Sequence, residues 1–199
     1  MHVETRLKTK DIDLGLLSKL PSQLFIIYSI QYKDLASKIK KELSKKHKII
    51  GFKQVLGCTK LKTKYPILLI ADGLFHAINI GLQNNSAIYI YTGKEINQLD
   101  RKIIKKLKAK QKAALSNFYM AKKIGILVST KPGQNRMQDA LKLKKRLEAK
   151  NKQAYVFIAD NLDLGEIENF SIDSWVNTAC PGLARNMGKI VNIDDIIDF

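Results

Sequence analysis

Ile124-Gly125-Ile126-Leu127-Val128-Ser129-Thr130 (IGILVST), the turn residues that follow it, an amphipathic run from Gln134 to Lys150, and Ala154 to Ala159 read in order as strand, loop, helix and strand. The first run is continuously apolar and rich in β-branched residues, the pattern of a strand covered on both faces of a parallel sheet. The same order appears earlier in the chain. Leu24 to Ile30 (LFIIYSI) is a short strand, Lys33 to Lys46 a helix with Leu35, Ile39 and Leu43 on one face, and Ile49 to Val55 a second strand. Asp34 in QYKDLASKIKKEL and Asp139 in RMQDALKLKKRLEAK stand at matching places after their strands, and each half later presents a cysteine at a strand-end loop. A repeated strand-helix-strand order with crossovers predicts an α/β protein of two related units, each a small parallel, Rossmann-like sheet with flanking helices. The expected division is residues 1–117, carrying Cys58, and residues 118–199, carrying Cys180.

Working outward, Ile67 to Ala71 and Ala87 to Tyr91 supply further strands of the first unit. Glu95 to Met120, without glycine or proline, reads as a long connecting helix. Met1 to Lys19 reads as a lead-in strand (HVETRL) and a short linker or helix, and Ile190 to Phe199 as an acidic, apolar tail that closes against the core.

A chain of 199 residues, 45% hydrophobic and 27% charged, can bury one or two cores and is not composed like a disordered one. Its formal net charge of +17 attracts polyanions such as RNA, ribosomes or acidic protein surfaces, but weakly in kind. Lysine dominates, with arginine only at positions 6, 101, 136, 146 and 185, whereas base and phosphate readers exploit the guanidinium fork. Solvated lysine faces explain much of the excess. Cys58 and Cys180 are far apart, and no secretory signal pattern is read before them, so no disulfide framework is expected and a reducing cytoplasm fits best. The longest apolar stretch, Ile67 to Leu82, is broken by Asp72, Gly73 and His76, and no membrane segment is expected.

Ligands of parallel α/β units gather at the carboxyl ends of strands. Cys58 follows Gly57 there, and Cys180 lies between the apolar run Trp175 to Ala179 and Pro181. Each reads either as a ligand or as a small buried hydrophobe. Ser129-Thr130-Lys131-Pro132-Gly133-Gln134 joins a strand to a helix and suits a carboxylate or phosphate, or is an ordinary turn; the GxxxxGK[ST] spacing of a P-loop is absent. Asp72-Gly73 with His76 (ADGLFH) offers a metal ligand, a general base, or a tight turn with a helix cap. His2 and His47 receive no role, and no residue is assigned as catalytic.

QVLGCT at 54–59, ADGLFH at 71–76, ILVSTKPGQ at 126–134 and WVNTACP at 175–181, in that order, resemble the diphthamide synthase family, the 2-(3-amino-3-carboxypropyl)histidine synthases. The resemblance implies three similar α/β domains, each giving one cysteine to a 4Fe-4S cluster whose fourth iron is open to S-adenosylmethionine. It maps Cys58 and Cys180 onto the second and third of those ligands, and the two units onto the second and third domains. Soft thiolates suit such clusters. By the same resemblance, one electron breaks the bond between sulfur and the aminocarboxypropyl carbon, and the 3-amino-3-carboxypropyl group passes to a histidine of translation elongation factor 2. Ser129, Lys131 and Gln134 are the residues expected to hold the amino-acid end of S-adenosylmethionine.

The resemblance leaves the first domain and its cysteine outside residues 1–199. The expected partners are therefore a separately encoded chain supplying them, or a full-length homologue, together with elongation factor 2 and an electron donor protein. Family members carry an arginine after the proline and acidic residues soon after, where this chain reads Gly182-Leu183-Ala184-Arg185-Asn186. Two other readings stay open: a non-catalytic or electron-relay partner of a full-length synthase, and a basic RNA- or ribosome-binding module on the same fold.

Overall fold

The computed structural model describes residues 14–163, 165–186 and 188–196. The chain divides into two compact units, Met1–Ile104 and Lys105–Phe199, so the boundary lies earlier than the expected one after residue 117. The expected lead-in strand HVETRL lies outside the described residues.

In the first unit a short helix, α1 (Leu14–Leu17), precedes β1 (Gln23–Tyr28), α2 (Lys33–Leu43), β2 (Lys48–Gln54), β3 (Ile67–Ile70), α3 (Leu74–Gln83), β4 (Ile88–Tyr91) and β5 (Ile96–Gln98). The sheet order is β2-β1-β3-β4-β5, parallel except at its last edge. Alternation along the strands sends Leu24, Ile26, Leu68 and Ile70 to one face, where Ala36, Ile39 and Leu43 of α2 cover them. Ile27, Ile67, Leu69 and Ile90 go to the other, under Ala77 and Ile80 of α3. All four residues of β3 are fully buried, each contributing about 1.5–3 kcal/mol of transfer free energy, which is why this strand reads as an unbroken apolar run.

β5 replaces the start of the expected long helix. Thr92-Gly93 turns the chain, with Gly93 at φ 96°, Tyr91 Oη donating to Gly93 O at 3.2 Å and Thr92 N to Glu95 O at 3.3 Å, and Ile96 then pairs antiparallel with Tyr91. The helix, α4 (Arg101–Met120), starts only after Asp100, whose carboxylate accepts from Lys102 N at 2.8 Å.

The second unit follows with β6 (Lys123–Ser129), α5 (Met137–Glu148), β7 (Gln153–Ala159), β8 (Ser174–Asn177) and β9 (Ile190–Asn192), in the all-parallel order β7-β6-β8-β9. This is the strand order of the first sheet's parallel part, and Asp34 and Asp139 both lie in the first turn of their helices, where the helix dipole favours an anion. The tail contributes β9 and packs Val191, Ile193 and Ile196 against the core under α4 and α5.

The opposite face of this sheet is closed by 3-10 turns at Glu166–Asn169 and Leu183–Asn186 around Trp175, which Phe157 and Phe170 meet at 4.8 and 6.1 Å between ring centroids. Gly125 lies opposite Trp175 in the register, and a Cβ on it would stand 2.3 Å from the indole ring. No helix among the described residues is long and apolar enough to cross a membrane. Gly125→Ala is expected to cost about 1–3 kcal/mol by overpacking, read from denaturant unfolding followed by the fluorescence of Trp175, the chain's single tryptophan; an unchanged midpoint would refute this packing.

Candidate functional site

A loop beyond a strand loses its ladder, so its amides and carbonyls need other partners. After β2 the chain crosses residues 55–66 without regular structure, and Cys58 is exposed in this segment. Its partners come from one side of α3. Asn79 Nδ2 donates to Gly57 O, and Gln83 Nε2 to Thr59 O at 3.1 Å, while Gln83 Oε1 accepts from Leu61 N at 3.0 Å. Asn84, just past the helix, accepts from Thr63 N and donates to Leu61 O, both at 2.8 Å. Within the loop, Leu56 N donates to Thr59 Oγ1 at 2.7 Å. Phe75 lies on the same side of the helix, four residues before Asn79. Its ring rests on Gly57, where a Cβ would come within 2.4 Å, so a side chain before the cysteine would have to push the exposed Phe75 ring aside.

Cys180 is half-buried and follows β8, the strand next to β6. Asn177, at the end of β8 and buried, donates from Nδ2 to Cys180 O at 2.9 Å and accepts at Oδ1 from Ala179 N at 3.0 Å. Thr178 is fully buried, its hydroxyl donating to Leu127 O at 2.8 Å, and Leu183 N donates to Cys180 O at 3.0 Å. Both sulfurs thus sit on backbone held by buried or half-buried polar side chains, outside the apolar clusters. The reading of either cysteine as a buried hydrophobe does not hold for Cys58.

The two loops are not equivalent in the repeat. By strand order β1 matches β6 and β3 matches β8, so Cys58 follows the second strand of its unit and Cys180 the third. The counterpart of the Cys180 loop is Ala71-Asp72-Gly73, after β3. Gly73 has φ 70° and stands at the N-cap of α3, making ADGLFH a turn into a helix. Asp72 accepts a hydrogen bond from the buried Tyr32 hydroxyl, and burial followed by this carboxylate raises the Tyr32 phenol above its ordinary range.

The segment after β6 lies at the point where the strand order reverses, beside β8. Ser129 is buried, its hydroxyl accepting from Lys131 N at 3.2 Å and donating to Asp160 O at 3.3 Å. Thr130 Oγ1 donates to Asp160 Oδ1, and Lys131 Nζ to Asn161 Oδ1. Lys131 is exposed and Gln134 half-buried, across a turn with Gly133 at φ 78°. Among the described residues no three His, Cys, Asp or Glu side chains converge into a metal-holding group.

Residues 2–189 match the family described as "Putative diphthamide synthesis protein". The chain belongs to the diphthamide synthesis family. Its relatives include the 2-(3-amino-3-carboxypropyl)histidine synthase of Pyrococcus horikoshii, 31% identical over an alignment of 134 residues that covers 64% of this chain and 38% of that protein. Subunit 1 of the synthase of Nematostella vectensis is 25% identical over 185 residues, 84% of this chain and 38% of its own. The crystal structure of Dph2 from Pyrococcus horikoshii with a 4Fe-4S cluster shares the fold at a TM-score of 0.74 and 23% identity, over 90% of this chain and 57% of that one. The matched segment is 38% of each of these two synthases and 57% of the Dph2 chain, so the chain spans only part of its relatives' length.

What the sequence reading of this family member missed is the set of side chains that hold the cysteine loops. Asn79, inside the apolar run Leu74 to Leu82, and Gln83, four residues on and just past it, were the available signal. Removing Gln83 in a Gln83→Ala variant is expected to speed hydrogen exchange at Leu61 N about 2- to 10-fold, the equivalent of one lost hydrogen bond, with β6 amides unchanged. Exchange at Leu61 equal to that of the parent would show that α3 does not hold the loop.

Proposed function

We propose that Cys58 and Cys180 each give one thiolate to a 4Fe-4S cluster, in an assembly that transfers the 3-amino-3-carboxypropyl group of S-adenosylmethionine to a histidine of translation elongation factor 2. The observation that carries this reading is the presentation of both of the chain's cysteines on hydrogen-bonded loops at the carboxyl edges of their sheets, in a member of this family. The donors fit the group. Both are free thiols, one exposed and one half-buried, and among the described residues no group of three or more His, Cys, Asp or Glu forms a metal site of another kind.

Since residues 1–199 hold two cysteines, a cluster bound by three thiolates takes its third from another polypeptide or segment. A separately encoded domain or a full-length homologue would supply it, and an electron donor protein would act on the assembly. When bound, the cluster supplies the electron that cleaves a carbon–sulfur bond and an open iron for substrate. The chain's own residues would do the holding. Lys131, exposed at the strand-order reversal, would exchange Asn161 for a substrate carboxylate, and Gln134 would offer its amide across the same turn. Ser129 would act by fixing the Lys131 backbone. A cytoplasmic setting, where thiols stay reduced, suits such an assembly.

Cys58→Ala and Cys180→Ala, made singly in the source organism, are each expected to abolish the mass increment on the elongation factor histidine, read by peptide mass spectrometry. Full modification in either variant would reduce the chain to a non-catalytic partner of another synthase.

A further inference from the structure

From Arg101 to Gln138 the chain holds eleven lysines and arginines and no acidic residue. α4 occupies the first part of this stretch. Leu107, Ala114 and Phe118 are buried, and the outward positions between Lys105 and Ala113 are lysines and alanines: Lys105, Lys106, Lys108, Ala109, Lys110, Lys112 and Ala113 are all exposed. Lys106 with Lys110 and Lys108 with Lys112 stand four apart, which places like charges side by side and works against the helix.

A lysine-rich composition alone does not produce this. α2 and α5 are amphipathic helices of the same chain, and each carries its own acids: Asp34 and Glu42 in one, Asp139 and Glu148 in the other. Glu42 pairs with Lys45 at 2.6 Å, Asp139 with Arg136 at 2.8 Å and Glu148 with Lys144 at 3.7 Å. Among the described residues, Lys105, Lys106, Lys110 and Lys112 have no such ion pair. Among the described residues no ion pair relieves the repulsion between Lys106 and Lys110, which leaves that face open to a polyanion.

The chemistry of the face selects the occupant. Protein interfaces are built on aromatic, methionine and arginine anchors and are poor in lysine, and this face has no exposed apolar side chain larger than alanine between Lys105 and Ala113. Arg101 is engaged with Asn85 O. Lysine point charges without a planar fork contact phosphate oxygens and carry no base code. We infer that the lysine face of α4 binds the phosphate backbone of RNA without sequence preference. The choice of RNA over DNA rests on the proposed action on a translation factor; the contact with a polyphosphate backbone rests on the helix alone.

The test uses the full chain and fluorescence anisotropy with a mixed-sequence RNA duplex, the DNA duplex of the same sequence, and polyglutamate. A variant with Lys105, Lys106, Lys110 and Lys112 all changed to glutamine is compared with a control in which Lys41, Lys46, Lys142 and Lys145 are changed, so both lose the same charge. Glutamine keeps helix propensity, and circular dichroism checks that α4 survives. The expected result is RNA bound more tightly than DNA or polyglutamate, with affinity falling steeply between about 50 and about 200 mM salt. The α4 variant should bind about tenfold more weakly with a shallower salt slope, and the control within about twofold of the parent. Equal losses in both variants would reduce the effect to net charge and overturn the inference. Preference for polyglutamate would assign the face to an acidic protein instead, and DNA bound as tightly as RNA would overturn the assignment to RNA. Cys58→Ala and Cys180→Ala should bind RNA as the parent does, so failure here and failure of the cluster reading are separate results.

Discussion

The polar contacts made by a few amide side chains determine where the cysteines stand. Outside the sheets, the segments that carry Cys58 and Cys180 have no ladder of their own, and an unpaired backbone group in a half-buried loop costs about 1–3 kcal/mol. Asn79, Gln83 and Asn84 meet that demand around Cys58, and Asn177 and Thr178 meet it around Cys180. These residues can do so because the apolar sides of α3 and β8 are fixed in their cores by Ala77 and Ile80, and by Trp175 and Val176. Core packing thus sets the sulfur positions through one layer of hydrogen bonds.

The parallel strands were legible because burial on both faces leaves a continuous apolar signature, clearest in Ile67 to Ile70 and Lys123 to Ser129. The repeat was legible through α2 and α5, where Asp34 and Asp139 open helices of the same pattern. β5 was not, since three residues ending a hairpin carry no periodicity and only Thr92-Gly93 marks the turn. β9 was hidden in the same way, its three residues lying within a tail that read as closing on the core. The cysteine loops were located by position, and their places after the second strand of one unit and the third of the other can be counted along the chain. What holds the loops was out of reach for a plainer reason: hydrogen bonds of Asn79 and Gln83 reach some twenty residues back along the chain.

Charge is distributed as unevenly as polarity. α2 and α5 neutralise part of their own lysines, whereas α4 has no acid of its own from Arg101 to Met120. A bulk charge of +17 says little about function, but its concentration on one helix face gives it a location and a chemistry. The cysteine loops and the lysine face are separate features of one family member, one suited to a soft metal group and the other to a polyanion.

The central claim is that the two loops present ligands for one kind of inorganic group. Anaerobic purification of the chain from its source, with its partners identified by mass spectrometry and iron and sulfide counted on the complex, tests this most directly. The account predicts a cysteine-bearing partner and about four irons and four sulfides per complex, both lost when Cys58 and Cys180 are replaced. A stable complex free of iron, or an iron count unchanged by those replacements, would contradict it.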